Sequence, residues 1–290
     1  MLRSLYSGVS GMRSFQTKMD VISNNIANVN TTGFKSGRAK FQDMLSQTIS
    51  NAQGASANGL GGVNSQQIGL GVRVGSIDTI MTGGAMQPTN RDLDFAIEGE
   101  GFFTVSPNGS TNNVNYTRDG AFYKDNVGNL VNASGDTLMG YMPDTFGGAL
   151  NTGSLKALEI PNNHPSYSNP DRELESYYID SSGTITAKYE NIATPVTIGQ
   201  IVLTRFSNPE GLEKTGGNNY RQTNNSGTPV SGTSGNNGFG IIRQGYLEMS
   251  NVDLANEFTE MIVTSRAYQA NSRSITTSDE MLQELINLKR

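Results

Sequence analysis

Cysteine and tryptophan are absent from this 290-residue chain, histidine occurs once, and only 16% of residues are charged. Without cysteine there is no disulfide framework, no thiolate metal site and no cysteine nucleophile. The one histidine, His164, sits beside Pro165 and reads as a surface loop residue; alone it offers neither a Cys–His couple nor a multi-histidine metal centre. No serine occupies a G-x-S-x-G elbow. Long apolar runs are missing too, so no stretch is expected to span a membrane. A net charge of -5 and a pI near 5.0 remove the basic footprint that nucleic acid or an anionic membrane would attract, and neither is expected as a partner. Leu2 to Val9 is interrupted by Arg3, Ser4 and Ser7, so a cleaved secretory leader is not expected. Nothing calls for a cofactor or a metal.

The order that is present lies at the two ends. Leu5, Met12, Met19 and Ile26 recur every seven residues, with Phe15, Ile22 and Val29 at the companion position. Near the other end Leu254, Met261, Tyr268, Ile275 and Leu282 repeat the spacing, joined by Phe258, Ile262 and Ile286. A seven-residue apolar repeat keeps one seam of a helix facing a partner. The spacing predicts helices from about Arg3 to Asn28 and from a cap at Asn251 or Asp253 onward.

Between the ends the residues change character. From Phe34 to Gly71 Gly, Ser, Asn and Gln predominate, which predicts an extended arm with a short helix at Phe41 to Ile49. Val72 to Ile77 and Leu93 to Ile97 alternate with period two, as half-buried strands do. Phe122 to Leu130 and Tyr177 to Ile185 each place an aromatic pair before an Asp-x-x-Gly turn, a hairpin signature. Asp125 and Asp180 lack the further spaced carboxylates of a calcium loop. Gly199 to Phe206 reads as a buried strand. The expected architecture is α+β: paired, coiled-coil-like terminal helices (1–32 with 252–290), an extended arm (33–71) and a mainly-β domain (72–251). Excursions from that domain are expected at 142–176, where Pro143, Pro161, Pro165 and Pro170 fall, and at 223–240.

Several segments then become recognisable. Leu5-Tyr6-Ser7-Gly8-Val9-Ser10-Gly11-Met12 and Ser23 to Lys35, with its core Asn28-Val29-Asn30-Thr31-Thr32-Gly33-Phe34-Lys35, closely resemble the N-terminal signature of bacterial flagellar rod and hook proteins. The resemblance to the family also covers Leu93 to Phe103, Tyr116-Thr117-Arg118-Asp119-Gly120, and Gly245 to Asp253. Within that family, Ile275 to Arg290 is similar to the hook branch more than to the distal-rod branch. Glu98 and Glu100, the one carboxylate pair weighed for glycoside cleavage, fall inside a structural motif of the family.

The resemblance implies a structural protein and no enzyme. It implies a subunit of the flagellar hook, a flexible helical tube that acts as a universal joint between motor and filament, with the distal rod, a stiff drive shaft, as the alternative. The terminal seams would form the subunit interface, and Asn24, Asn25 and Asn28 would make contacts across subunits. Expected partners are further copies of the chain, the distal rod protein, the hook cap protein, the hook–filament junction protein and the flagellar type III export apparatus. Phe41 and Leu45 are similar to the family's export-gate motif, an aromatic followed four residues later by an apolar residue. The chain would sit in the flagellum, outside the cell.

A two-helix hairpin with this much Ser, Asn and Thr is marginal by itself. The termini are therefore expected to be mobile in a dilute monomer and to become fully helical when neighbouring subunits surround them. Amide hydrogen exchange checks this: fast exchange at both ends of the monomer is expected, and strong protection there would contradict it.

Overall fold

The computed structural model describes residues 2–54, 61–110, 113–144, 148–162, 173–190, 192 and 194–288. His164, Pro165, Pro170 and part of the glycine-rich arm lie outside them. The chain forms two compact units, one of residues 1–27, 36–80 and 252–290 and one of 28–35 and 81–251. No helix among the described residues is long and apolar enough to cross a membrane.

In the first unit helix α1 spans Leu2–Ala27 and helix α2 spans Leu254–Leu288. Asp253 starts α2: its Oδ1 accepts the backbone N–H of Ala255 at 2.9 Å, satisfying a donor the first turn leaves open. Strands β1 (Gly37–Asp43), β2 (Ser46–Ser50), β3 (Gln66–Gly69) and β4 (Val72–Thr79) complete this unit. β1 pairs antiparallel with β4, with a register shift between Lys40 and Phe41, and β2 pairs with β3. The short helix expected at Phe41 to Ile49 is thus replaced by strand. Phe41, Thr48 and Ile49 are β-favouring, and cross-strand pairing outweighs the weak helical spacing.

The second unit is a β domain. Its strands are β5 (Met86–Pro88), β6 (Phe95–Glu98), β7 (Phe102–Ser106), β8 (Asn115–Thr117), β9 (Tyr123–Lys124), β10 (Leu130–Val131) and β11 (Thr137–Tyr141). There follow β12 (Lys156–Ala157), β13 (Leu174–Ile179), β14 (Thr184–Tyr189), β15 (Val196–Arg205), β16 (Glu213–Gly216), β17 (Asn219–Arg221), β18 (Val230–Thr233), β19 (Ile241–Gln244) and β20 (Tyr246–Glu248). The main sheet runs β13-β14-β15-β11-β7-β8-β17-β16, with β10, β12 and β18 attached to its inner strands. Both Asp-x-x-Gly segments are hairpin turns: Gly128 and Gly183 donate their N–H to Asp125 and Asp180 carbonyls at 3.0 and 2.8 Å.

Alternation along β7 divides the core in two. Phe103 and Val105 enter the large cluster with Phe95, Leu130, Leu138, Ile185 and Ile201. Phe102 points the other way, into Tyr116, Phe206, Leu212 and Tyr220, with ring centroids 4.7 to 6.0 Å apart. The expected excursions are also corrected. Within 142–176, β12 pairs with β11, and Leu158 and Ile160 are fully buried in the large cluster. Within 223–240, β18 pairs with β15. The prolines and polar residues around these short insertions concealed them. Leu158→Ala is expected to cost about 2 to 5 kcal/mol in a urea titration, as core truncations do; a loss under about 0.5 kcal/mol would return the segment to the surface.

Candidate assembly surface

α1 meets α2 along its small residues. A Cβ on Gly8 would stand 3.0 Å from Ile275 Cγ1, and one on Gly11 2.7 Å from Asn271 Nδ2. Ser4 and Ser278 hydroxyls lie 3.4 Å apart, Lys18 Nζ pairs with Glu260 Oε2 at 2.5 Å, and Asn25 Nδ2 donates to Glu257 Oε1 at 3.0 Å. Contacts advance on α1 as they retreat on α2, so the helices are antiparallel.

The α2 seam faces α1 only in part. Met261, Ile275 and Leu282 are half-buried, and the positions between them that turn inward are Thr264, Asn271 and Ser278. Phe258, Ile262 and Ile286, expected as the companion row, are 50%, 63% and 66% exposed, and Leu254 and Tyr268 are each 39% exposed. The heptad therefore carries a second apolar face that nothing among the described residues covers.

On α1, Leu5, Met12, Phe15, Met19 and Ile26 are half-buried and Ile22 is buried; Val29 lies half-buried beyond the helix end. The Phe15 ring packs edge-on against Phe41 of β1, 5.5 Å between centroids. Ile22 lines a small hollow with Gly37, Ala39 and Ile80. Phe15 and Ile22 are thus turned to the β1–β4 pair, an allocation that spacing alone does not reveal. Asn25, expected at contacts across subunits, is satisfied inside the chain: it donates to the Gly37 carbonyl at 2.8 Å and accepts the Gly37 N–H at 2.9 Å. Burial raises the Glu257 carboxyl above its ordinary value, opposed by the Asn25 bond. Of the two residues expected to form an export-gate motif, Phe41 is built into β1 and Leu45 is 84% exposed. Ile49 and Ile68 on the β2–β3 pair are exposed as well.

The second unit holds a buried ionic knot. Glu248 Oε1 receives Lys35 Nζ at 2.6 Å and the Gly84 N–H at 2.9 Å, while Arg118 Nη1 stands 3.3 Å from Oε2. Lys35 also donates to the Thr82 carbonyl at 2.8 Å, and Arg118 Nη2 to the Gly99 carbonyl at 2.8 Å. The three side chains are at most 5% exposed. Burial pushes the Lys35 ammonium and the Arg118 guanidinium below their ordinary values, and Glu248 opposes the shift in both. Around the knot, Gly33 donates to the Glu248 carbonyl at 2.8 Å and Thr32 Oγ1 to Asp119 Oδ1 at 2.9 Å. Gly33 has φ +66, and a Cβ there would meet the Asp119 nitrogen at 2.6 Å, so the position needs glycine twice over. Three motifs far apart in sequence, Thr31 to Lys35, Tyr116 to Gly120 and Gly245 to Asp253, thereby meet at one carboxylate. The charged residues inside those motifs were the available signal for this, and sequence reasoning gave them no role.

Glu98 is held by Arg243 at 2.7 Å, and Glu100 lies 4.0 Å from Arg205. Among the described residues no group of three His, Asp or Glu could hold a metal ion. Glu248→Gln is expected to cost about 3 to 5 kcal/mol of unfolding free energy by stranding two buried cations. Adding Lys35→Met should recover part of that, and a double-mutant cycle with no coupling would remove the knot's importance.

Three family models match the chain. "Flagella basal body rod protein" covers residues 5–35, "Flagellar hook protein FlgE/F/G D1 domain" covers 96–187, and "Flagellar basal body rod FlgEFG protein C-terminal" covers 243–288. The flagellar basal-body rod protein FlgG of Bacillus subtilis is 48% identical over 291 positions, spanning all of both chains. That of Buchnera aphidicola from Acyrthosiphon pisum is 39% identical over 289, spanning 99% of this chain and 100% of its own. The flagellar hook protein FlgE of Borreliella burgdorferi is 33% identical over 446 positions, again spanning all of both chains.

Proposed function

The chain belongs to the bacterial flagellar rod and hook protein family, structural components of the flagellum, and on that premise we propose that it is a subunit of the rod. One observation carries this reading. Rod relatives align end to end with almost no length difference, whereas alignment with a hook protein is stretched far beyond the 290 residues of this chain. The hook reading, drawn from Ile275 to Arg290, gives way accordingly: similarity to rod relatives along the whole chain outweighs one terminal stretch.

A shaft transmits torque when its subunits cannot slide. The uncovered Leu254, Phe258, Ile262 and Ile286 on α2 supply apolar area for neighbouring copies. So does the β2–β3 pair, since two strands alone are marginal in water and gain from being covered. The terminal helices would pair in a coiled-coil manner across subunits as well as within them. Partners in this reading are further copies of the chain and the axial proteins that precede and follow it, after passage through the flagellar export apparatus.

Electron microscopy of polymers grown from the purified full chain tests the assignment. Straight, rigid tubes are expected. Curved, supercoiling tubes would reinstate the hook, and an absence of polymers under all conditions would count against both.

A further inference from the structure

A groove of about 480 Å³ runs along α1 on the flank away from α2. Tyr6 and Val9 of α1 form one wall, and Leu70 and Val72 the other. Tyr6 stands two positions from Gly8, which is half a turn or more around the helix, so the chain's own α2 cannot occupy this side. Arg13 and Arg73 both line the groove. Arg73 donates only to Gln42 Oε1, at 3.3 Å, and among the described residues neither arginine joins an ion pair. Asp43, which borders an adjoining hollow with Arg73, pairs with neither.

The last two turns of α2 present the complementary surface. Met281, Leu285 and Leu288 recur at i, i+4 and i+7 and are 49%, 49% and 82% exposed. Glu280 and Glu284 border that stripe, are exposed, and join no ion pair among the described residues. An apolar helix stripe flanked by carboxylates matches an apolar groove flanked by guanidinium groups, the helix-in-groove mode of recognition.

We propose that the segment Glu280–Leu288 of a second copy docks in this groove, with Glu280 and Glu284 on Arg13 and Arg73. The inference rests on the self-assembly reading above and names the contact that reading requires. Burial of Met281 and Leu285 supplies attraction, and the two charge pairs fix the direction and register of the incoming helix.

The absence of native cysteine makes a direct test available. Chains carrying Tyr6→Cys are mixed with chains carrying Leu285→Cys under assembly conditions and oxidised, and the linked peptides are identified by mass spectrometry. Docking brings these positions within disulfide reach, so 6–285 links are expected to outnumber 6–6 and 285–285 links. Arg13→Glu with Arg73→Glu should lower the 6–285 yield about tenfold, and Glu280→Lys with Glu284→Lys on the partner should restore it. Like-with-like links alone, or a yield unmoved by charge reversal, overturn the docking, as does a complete lack of association. Straight tubes without 6–285 links leave the rod reading standing and remove the groove; 6–285 links in short oligomers that never form tubes do the reverse.

Discussion

One carboxylate removed from water gathers segments of the β domain that lie far apart in sequence. Glu248 is almost wholly buried, and an isolated anion there would be untenable. Lys35 and Arg118 neutralise it, and the backbone of Thr82, Gly84 and Gly99 adds further hydrogen bonds to the three side chains. The Arg118 Nε stays buried without a partner, and a network of this kind costs more to break than it contributes to stability, so its main effect is to favour one arrangement of the chain. Lys35, Thr82 and Glu248 each lie within a few residues of a point where the chain passes from one unit to the other. The knot thus fixes, within the β domain, the places where the chain departs.

The helices solve a different problem, that of one surface serving several partners. Glycine and serine on α1 admit α2 closely, and the inward row of α2 is correspondingly small and polar at Thr264 and Ser278. Close approach through small residues gains dispersion contacts without consuming the large apolar side chains. Phe258 and Ile262 are left outside, available to neighbours, while Phe15 and Ile22 secure α1 to its own β strands.

How far the sequence could be read follows the range of the interactions involved. The terminal helices, the two Asp-x-x-Gly hairpins and the long strand β15 depend on local spacing, and local spacing announced them. Phe41 to Ile49 depended on β4 and β3, which lie some distance along the chain, and a plausible helical pattern there gave way to strand. Leu158 and Ile160 were hidden because short core insertions amid proline and polar residues have no periodicity to display. The seams were legible as apolar rows, but which row met which partner was not, since spacing fixes faces and leaves their occupants open. The ionic knot joins residues up to 213 positions apart, a pairing that no window along the chain contains.

The antiparallel helix pair has a further consequence in time. Ser4 and Ser278 face each other across 274 positions of chain, with the β domain inserted between. Contacts of such separation carry a large loop-closure cost and form late. The β domain can reach its native contacts while α2 is still missing, whereas the first turns of α1 have no helical partner until residues near Ser278 have arrived. A chain that emerges N-terminus first therefore keeps the helix pair incomplete until its last residues have emerged.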